Sequence, residues 1–246
     1  MNDQLKKSGK ATGTFYFKQF KVEDGMSTMK VGTDAVLLGA SVETGDAEEI
    51  LEIGTGSGVI ALILAQRSTA RIDANEVDEK SVLQARENVT SSPWGDRISV
   101  IHRSFQEFAN QTGKKYNLIV SNPPFFTNSL KSPFQKRNIS RHNDSLSFGE
   151  LVKCADQVIE KDGSLWIILP GKESNEFIST ARNQRFFIKK IIKIQPKPGQ
   201  APQRNIMHFT KYETVNPVIE ELAIRNVDGS YSTDYMELTK DFYLDF

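Results

Sequence analysis

Apolar and polar positions along this chain switch repeatedly between two periods. Short runs with every residue or every second residue apolar read as strands, and longer stretches with apolar residues three and four apart read as helices. Strands are predicted at 49–53, 71–77, 98–102, 116–121, 164–169, 186–194 and 205–211, with an added strand at 218–224. Helices are predicted at 59–67, 79–90, 105–111, 148–160, 172–183 and 233–242. In 79–90 the apolar positions are Val82, Leu83, Ala85 and Val89. Asp162-Gly163 predicts a turn ahead of the strand at 164. Near the start, Phe15, Phe17 and Phe20 alternate with polar residues, as in a short strand or hairpin arm. Gly32 marks a turn, and Thr33 or Asp34 is expected to cap a helix that 35–40 begins. Residues 1–13 are polar and Lys-rich and read as a loose arm.

Alternating strands and helices predict an α/β fold, with a mostly parallel sheet, helices on both faces and right-handed crossovers. Ligands of such sheets sit beyond the carboxyl ends of the strands. The chain of 246 residues carries 31 Lys+Arg against 31 Asp+Glu, so no global basic field exists and any nucleic-acid contact needs a local patch. The single cysteine, Cys154, excludes an internal disulfide and fits a reducing cytosol. His102, His142 and His208 lack metal-ligand spacing, and no metal is expected. No segment approaches the roughly 20 apolar residues of a membrane span, and no signal-peptide core is visible. A cytoplasmic location follows.

Two loops on the predicted carboxyl edge carry the chemistry. Leu51-Glu52-Ile53-Gly54-Thr55-Gly56-Ser57-Gly58 joins the first strand of the alternating series to its helix. Glycine at every second residue permits positive φ and lets a ligand touch backbone. Glu76 ends the next strand, 22 residues after Gly54. A carboxylate about 20 residues on is where nucleotide-binding α/β folds hold a ribose diol. The spacing is Gly-x-Gly-x-Gly rather than the Gly-x-Gly-x-x-Gly used for pyrophosphate. Glu52 would repel a phosphate but attract an amino group or a sulfonium. These features favour S-adenosylmethionine over a dinucleotide. The second loop is Asn122-Pro123-Pro124-Phe125, after the apolar run 116–120. Its prolines cannot donate to a ladder, and Pro123 holds Asn122 extended. A stiff loop with one amide, bare carbonyls and an aromatic face suits a planar group bearing NH2.

Glu52 to Gly58, Glu76 and Asn122-Pro123-Pro124-Phe125 resemble the motifs of class I S-adenosylmethionine-dependent methyltransferases. Met29 to Ala40, Phe17-Lys18-Gln19-Phe20, Ser92-Pro93-Trp94, Arg141-His142 and Phe242-Tyr243-Leu244 make the chain similar, over nearly its whole length, to the bacterial tRNA1(Val) adenosine-37 N6-methyltransferase family. The resemblance implies a Rossmann-like fold on a mostly parallel seven-stranded sheet. It implies an N-terminal arm and cofactor-covering segment (1–40) before a methyltransferase domain (41–246), working as a monomer on tRNA. Asn122, Pro123, Pro124 and Phe125 would be catalytic. Thr33, Glu52, Gly54, Gly56, Gly58, Glu76, Ser104, Phe105 and Asn122 would hold S-adenosylmethionine, and Phe125, Arg137, Arg141 and His142 would meet the RNA. Ser104 stands where many relatives have an acidic residue for the cofactor's adenine amine, so Ser104 or the Phe105 backbone is expected to take that edge. Basic rims are expected at Lys131, Lys136, Arg137, Arg141 and His142, at Lys189, Lys190, Lys193, Lys197 and Arg204, and in the arm at Lys6, Lys7 and Lys10. Alternatives are guanine-N2 methylation of ribosomal RNA, glutamine methylation of a protein, and an inactive binding module.

Overall fold

Each central strand sends neighbouring side chains into two different cores, and this layers the molecule. The computed structural model describes residues 13–124 and 146–245. In chain order they form β1 (Thr14–Tyr16), β2 (Lys21–Glu23), α1 (Thr33–Ser41), β3 (Glu49–Ile53), α2 (Val59–Arg67), β4 (Arg71–Glu76), α3 (Glu79–Thr90), β5 (Ile98–His102), α4 (Phe105–Gln111) and β6 (Tyr116–Ser121). Then come α5 (Phe148–Val158), β7 (Ile159–Pro170), α6 (Gly171–Asn183), β8 (Phe187–Gln195), β9 (Arg204–Thr210), β10 (Val218–Ala223) and α7 (Thr233–Thr239). One sheet runs in the order β10-β8-β9-β7-β6-β3-β4-β5. β9 is antiparallel to both neighbours and every other pair is parallel. The seven-stranded core is as expected, and the added strand joins it as an eighth beside β8.

Ile50, Leu118, Val120, Trp166 and Ile206 face a core shared with α1, α2 and Tyr235 of α7. Their neighbours Leu51, Ile119, Leu165, Ile167 and Met207 face a second core shared with α4, α5 and α6. Period-two alternation thus covers both faces with helices, as a largely parallel sheet requires. α1 and α2 pack closely because Gly39 has no side chain: a Cβ there would lie 2.8 Å from Ile63 Cγ2. Across β7 and β9, Trp166 and His208 pair in register and stack with centroids 4.3 Å apart. Burial, with Lys189 and Lys190 nearby, pushes the His208 imidazole down to about 4, so it sits neutral in the core.

β1 and β2 form an antiparallel hairpin. Phe17 and Phe20 stack at 4.4 Å, Tyr243 lies 6.2 Å from Phe17, and Lys18 N–H donates to the Phe242 carbonyl at 2.9 Å. The N-terminal hairpin and the last turn therefore close on one aromatic cluster, continuous with the α1–α2 core.

Three local expectations are corrected. Gly32, not Thr33 or Asp34, is the N-cap of α1, with no side-chain cap; Asp34 instead accepts from Arg204 Nε at 2.7 Å. α5 stops at Val158 and β7 starts at Ile159, because Ile159 turns into the second core. The Asp162-Gly163 turn is a bulge inside β7, where pairing jumps from Tyr116↔Ile159 to Leu118↔Ser164. Glycine is needed there, since a Cβ at 163 would sit 2.9 Å from the Tyr116 carbonyl.

Candidate active site

Ile53, the last residue of β3, pairs with Asn75 on one side and Ser121 on the other. The glycine loop therefore rises between the ends of β4 and β6. Gly54 and Thr55 N–H both donate to the Asn75 carbonyl, at 2.9 and 3.0 Å. Asn75 is itself fixed, its side-chain NH2 donating to the Arg103 carbonyl at 2.8 Å. Gly54, Gly56 and Gly58 have φ of +73°, +57° and +86°, a left-handed backbone that side chains other than glycine rarely adopt. A Cβ on Gly54 would meet open space, so conformation selects glycine there, and the backbone is left bare.

Glu76 fixes the crest of this loop. One carboxylate oxygen accepts from Gly56 N–H at 2.9 Å; the other accepts from Val77 and Asp78 N–H at 2.8 and 2.9 Å. A carboxylate has about four acceptor sites, so the oxygen facing Gly56 keeps one in hand. Glu52 is 1% exposed. Its Oε2 accepts from the Thr55 hydroxyl and from Ala61 N–H, while Oε1 is buried without a partner. Burial pushes this carboxyl up to about 8; the two hydrogen bonds oppose that rise and the Glu76 charge adds to it.

Asn122 follows β6, one residue past the Ser121 that pairs with Ile53. Ser121 braces this junction by donating its hydroxyl to the Ile53 carbonyl at 3.0 Å. Asn122 is 8% exposed, and its side-chain oxygen is buried with no hydrogen-bond partner. Leaving such an acceptor unmade costs roughly 1–3 kcal/mol, which a ligand donor would recover. Pro123 is buried and Pro124 exposed. Two orphan carbonyl-type oxygens, on Glu52 and Asn122, thus belong to adjacent strands at one sheet edge. They suit a ligand that brings donors and positive charge, which fits S-adenosylmethionine and an amine-bearing base. A cavity of about 590 Å³ lined by Gly45, Glu49, Thr69 and Arg71 lies at the opposite end of the strands and takes no part.

α3 contributes a feature the sequence reading missed. Ser81, Gln84 and Asn88 lie on one helix face and are almost fully buried, although polar. Asn88 accepts from Glu23 N–H at 2.9 Å and donates to the carbonyls of Glu23 and Ser57 at 2.7 and 2.8 Å. Gln84 accepts from Met26 N–H at 3.1 Å, and Ser81 from Thr28 N–H at 3.2 Å. Segment 23–28 is thereby tied along α3, and Ser27 comes over Gly56, 3.5 Å from where a Cβ would stand. Asp24 closes the segment by accepting from Val31 N–H at 2.9 Å. The visible signal was the uncharged polar stripe with spacings of three and four, beside Val82, Ala85 and Val89.

Glu52, Gly54, Gly56, Gly58, Glu76 and Asn122 are brought together at this edge. Thr33 begins α1, next to the Asp34 that pairs with Arg204. Ser104 caps α4: its hydroxyl accepts from Glu107 N–H at 3.3 Å and donates to the Glu107 carboxylate at 2.9 Å. Its oxygen is engaged in capping, while Phe105 N–H lies in the first turn, where helix donors lack intrahelical partners. The Phe105 ring is buried in the second core. Phe125, Arg137, Arg141 and His142, with Lys131, Lys136 and the arm lysines, lie outside the described residues. Lys190 leaves the expected basic rim, bonded to Glu43 and Glu220 at 3.1 Å each. Among the described residues, no group of three or more His, Cys, Asp or Glu is placed to hold a metal, and no helix is long and apolar enough to cross a membrane.

The model of the methyltransferase small domain matches residues 20–183. A tRNA1(Val) (adenine(37)-N6)-methyltransferase of Bacteroides fragilis is 42% identical over 231 residues, covering 94% of this chain and 97% of the relative. One of the same name from Yersinia pestis is 38% identical, with both chains covered completely. Among solved structures, a predicted O-methyltransferase of Agrobacterium tumefaciens superposes with a TM-score of 0.68 at 18% identity, covering 85% of this chain and 96% of the other. That likeness is one of fold.

Proposed function

The chain belongs to the methyltransferase small domain family, and we propose that it is an enzyme transferring the methyl group of S-adenosylmethionine to N6 of an adenine in tRNA, adenine 37 of tRNA1(Val) by kinship with its relatives. The observation that carries the reading within this molecule is the buried, unpartnered side-chain oxygen of Asn122 at the end of β6. It stands beside a glycine loop whose own acidic residue, Glu52, also keeps an unpartnered oxygen.

In this reading the glycine loop, Glu52 and Glu76 hold the cofactor. Backbone at Gly54, Gly56 and Gly58 lies against it, Glu76 takes the ribose diol, and Glu52 Oε1 faces its positive groups. Phe105 N–H in the first turn of α4 is the donor for the adenine edge, with Ser104 occupied as a cap. Segment 23–28, tied to α3, brings Ser27 over the loop, and Thr33 follows at the start of α1. When bound, the cofactor would supply a sulfonium methyl group for transfer to N6, leaving as the neutral thioether.

The chain's own work is on the adenine amine. That lone pair is delocalised into the ring, so the nitrogen is a weak nucleophile. Asn122 Oδ1 accepts one N6–H and the Pro123 carbonyl accepts the other. Holding both hydrogens on one side drives the nitrogen towards a tetrahedral shape and turns its lone pair to the methyl group. The stiff Asn-Pro-Pro backbone fixes both acceptors before the base arrives, so alignment supplies much of the acceleration. The same oxygens stabilise positive charge as it grows on N6. The extra proton then leaves to solvent, without a strong base in the loop. Phe125 would stack on the base, which must be unstacked from its neighbours, as anticodon-loop bases can be. A monomer in the cytosol, meeting tRNA there, completes the proposal.

The test is mass spectrometry of tRNA nucleosides after incubating the protein with methyl-labelled S-adenosylmethionine and unmodified total tRNA. Label in N6-methyladenosine is the expected result. Label only in N2-methylguanosine would move the enzyme to a guanine target, and no label in tRNA would overturn the reading.

A further inference from the structure

The carboxyl edge of the sheet carries more acids over its β3–β5 half and more cations over its β7–β10 half. Over β3, β4 and β5, the half holding the glycine loop, stand Glu76, Asp78, Glu79 and Glu107 with Lys80 and Arg103. Over β7, β9, β8 and β10 stand Lys172, Arg204, Lys197 and Arg225. Backbone contacts make these four one continuous crest. Arg204 pairs with Pro170 at the end of β7, two residues before Lys172. Gly171 approaches the Pro202 carbonyl, its Cβ position lying 3.8 Å away. Gln203 N–H donates to the Ile194 carbonyl at 2.9 Å, and Arg225 N–H to the Pro196 carbonyl at 3.0 Å. Lys197 Nζ reaches the Val227 carbonyl at 3.0 Å, and the Arg225 guanidinium sits 4.2 Å over the Tyr231 ring. The acids on this side are Asp34, paired with Arg204 at 2.7 Å, Glu173 beside Lys172 in the first turn of α6, and Asp228, which accepts from the N–H and hydroxyl of Ser230.

We propose that Lys172, Lys197 and Arg225 on this crest form a phosphate-binding track that carries the RNA backbone away from Asn122, over the half of the sheet opposite the cofactor, with Arg204 held in its pair with Asp34. The inference rests on the RNA substrate argued above. β7 adjoins β6, so the track starts one strand from Asn122. At roughly 4.8 Å between strands, four strands extend it over roughly 15 Å, about four stacked nucleotides at roughly 3.4 Å each. The loop at 196–203, rich in Pro, Gly and Gln, adds amides at Gln200 and Gln203 between the cations. Contacts of this kind set register and affinity without reading sequence.

The experiment measures binding of unmodified tRNA by fluorescence anisotropy at several salt concentrations. It compares the wild type with Lys172→Gln/Lys197→Gln/Arg225→Gln, and with Lys153→Gln/Lys161→Gln/Arg182→Gln as an equal charge change away from the crest. The crest variant should weaken tRNA binding by about tenfold or more, with a salt slope shallower by about one for each contact removed. Its S-adenosylmethionine affinity should match the wild type. Lys172→Glu/Lys197→Glu, which keeps Arg225 on Tyr231, should show a loss in the same direction. Wild-type affinity and slope in both crest variants would overturn the track alone. A wild-type protein that binds no tRNA would overturn the track together with the RNA-substrate reading.

Discussion

Raising the pH from 6 to 7 should tighten binding of S-adenosylmethionine by close to an order of magnitude. The lever is Glu52, whose carboxyl titrates at about 8 because burial disfavours its charge. Its Oε1 has no partner, and a cation beside it makes the ionised form the binding-competent one. The observed dissociation constant is then multiplied by one plus the ratio of protonated to ionised Glu52. That factor is about 100 at pH 6, about 11 at pH 7 and about 2 at pH 8. At pH 7 the proton costs about 1.4 kcal/mol of binding. The ligand's own α-amine loses its charge near 7.7–8.0, so the rise should flatten above that pH. Isothermal titration in buffers of different ionisation enthalpy reads both quantities, the affinity and roughly 0.9 proton released at pH 7. Glu52→Gln should bind more weakly and lose most of the slope. A dissociation constant that changes less than twofold between pH 6 and 7, or a slope that survives in Glu52→Gln, would refute the reasoning. For folding the sign is opposite. With its folded value raised, Glu52 contributes stability present below about 4.5 and lost as pH rises through about 8. Glu52→Gln should therefore make the ligand-free protein more resistant to heat at pH 8 than the wild type, by differential scanning calorimetry.

Asn122→Ala should reduce methyl transfer to tRNA by at least a hundredfold, on the scale of losing one preorganised transition-state partner, while cofactor affinity by calorimetry stays within about threefold; a fully active variant would remove the clamp. Glu76→Ala should weaken the cofactor by roughly 1–3 kcal/mol. It should also lower the melting temperature, because the N–H groups of Gly56, Val77 and Asp78 lose their acceptor; unchanged affinity would mean another residue holds the ribose. Asn88→Ala should cost roughly 2–4 kcal/mol in urea unfolding, since one N–H and two carbonyls lose their partner. An unshifted midpoint would show that water replaces the amide and that the α3 stripe does not secure segment 23–28.

Elements whose cause lies within a few residues were legible in the sequence. β3, α2, α3, β5, α4 and β6 begin and end where the periodicity predicts, because an apolar face and a cap or turn residue are local properties. The Gly54-Gly56-Gly58 run and the Asn-Pro-Pro loop were legible for the same reason: positive φ and a missing N–H are written in the residue type. Partnerships across the chain were not. Nothing local shows that Glu76 accepts from Gly56, 20 positions earlier, or that Asp34 meets Arg204, 170 positions later. Periodicity also could not tell a turn from a bulge at Gly163, since both need a residue without a Cβ and only the nearness of the Tyr116 carbonyl decides between them. Lys190 looked like any basic residue until Glu43 and Glu220 came within 3.1 Å of it. The sequence by itself determined which residue types stand at the carboxyl edge and thus what chemistry is available there. The tertiary structure decided which of those groups are already engaged and which, like the oxygens of Glu52 and Asn122, are buried and left open, because desolvation and pairing depend on neighbours that only the folded sheet brings together.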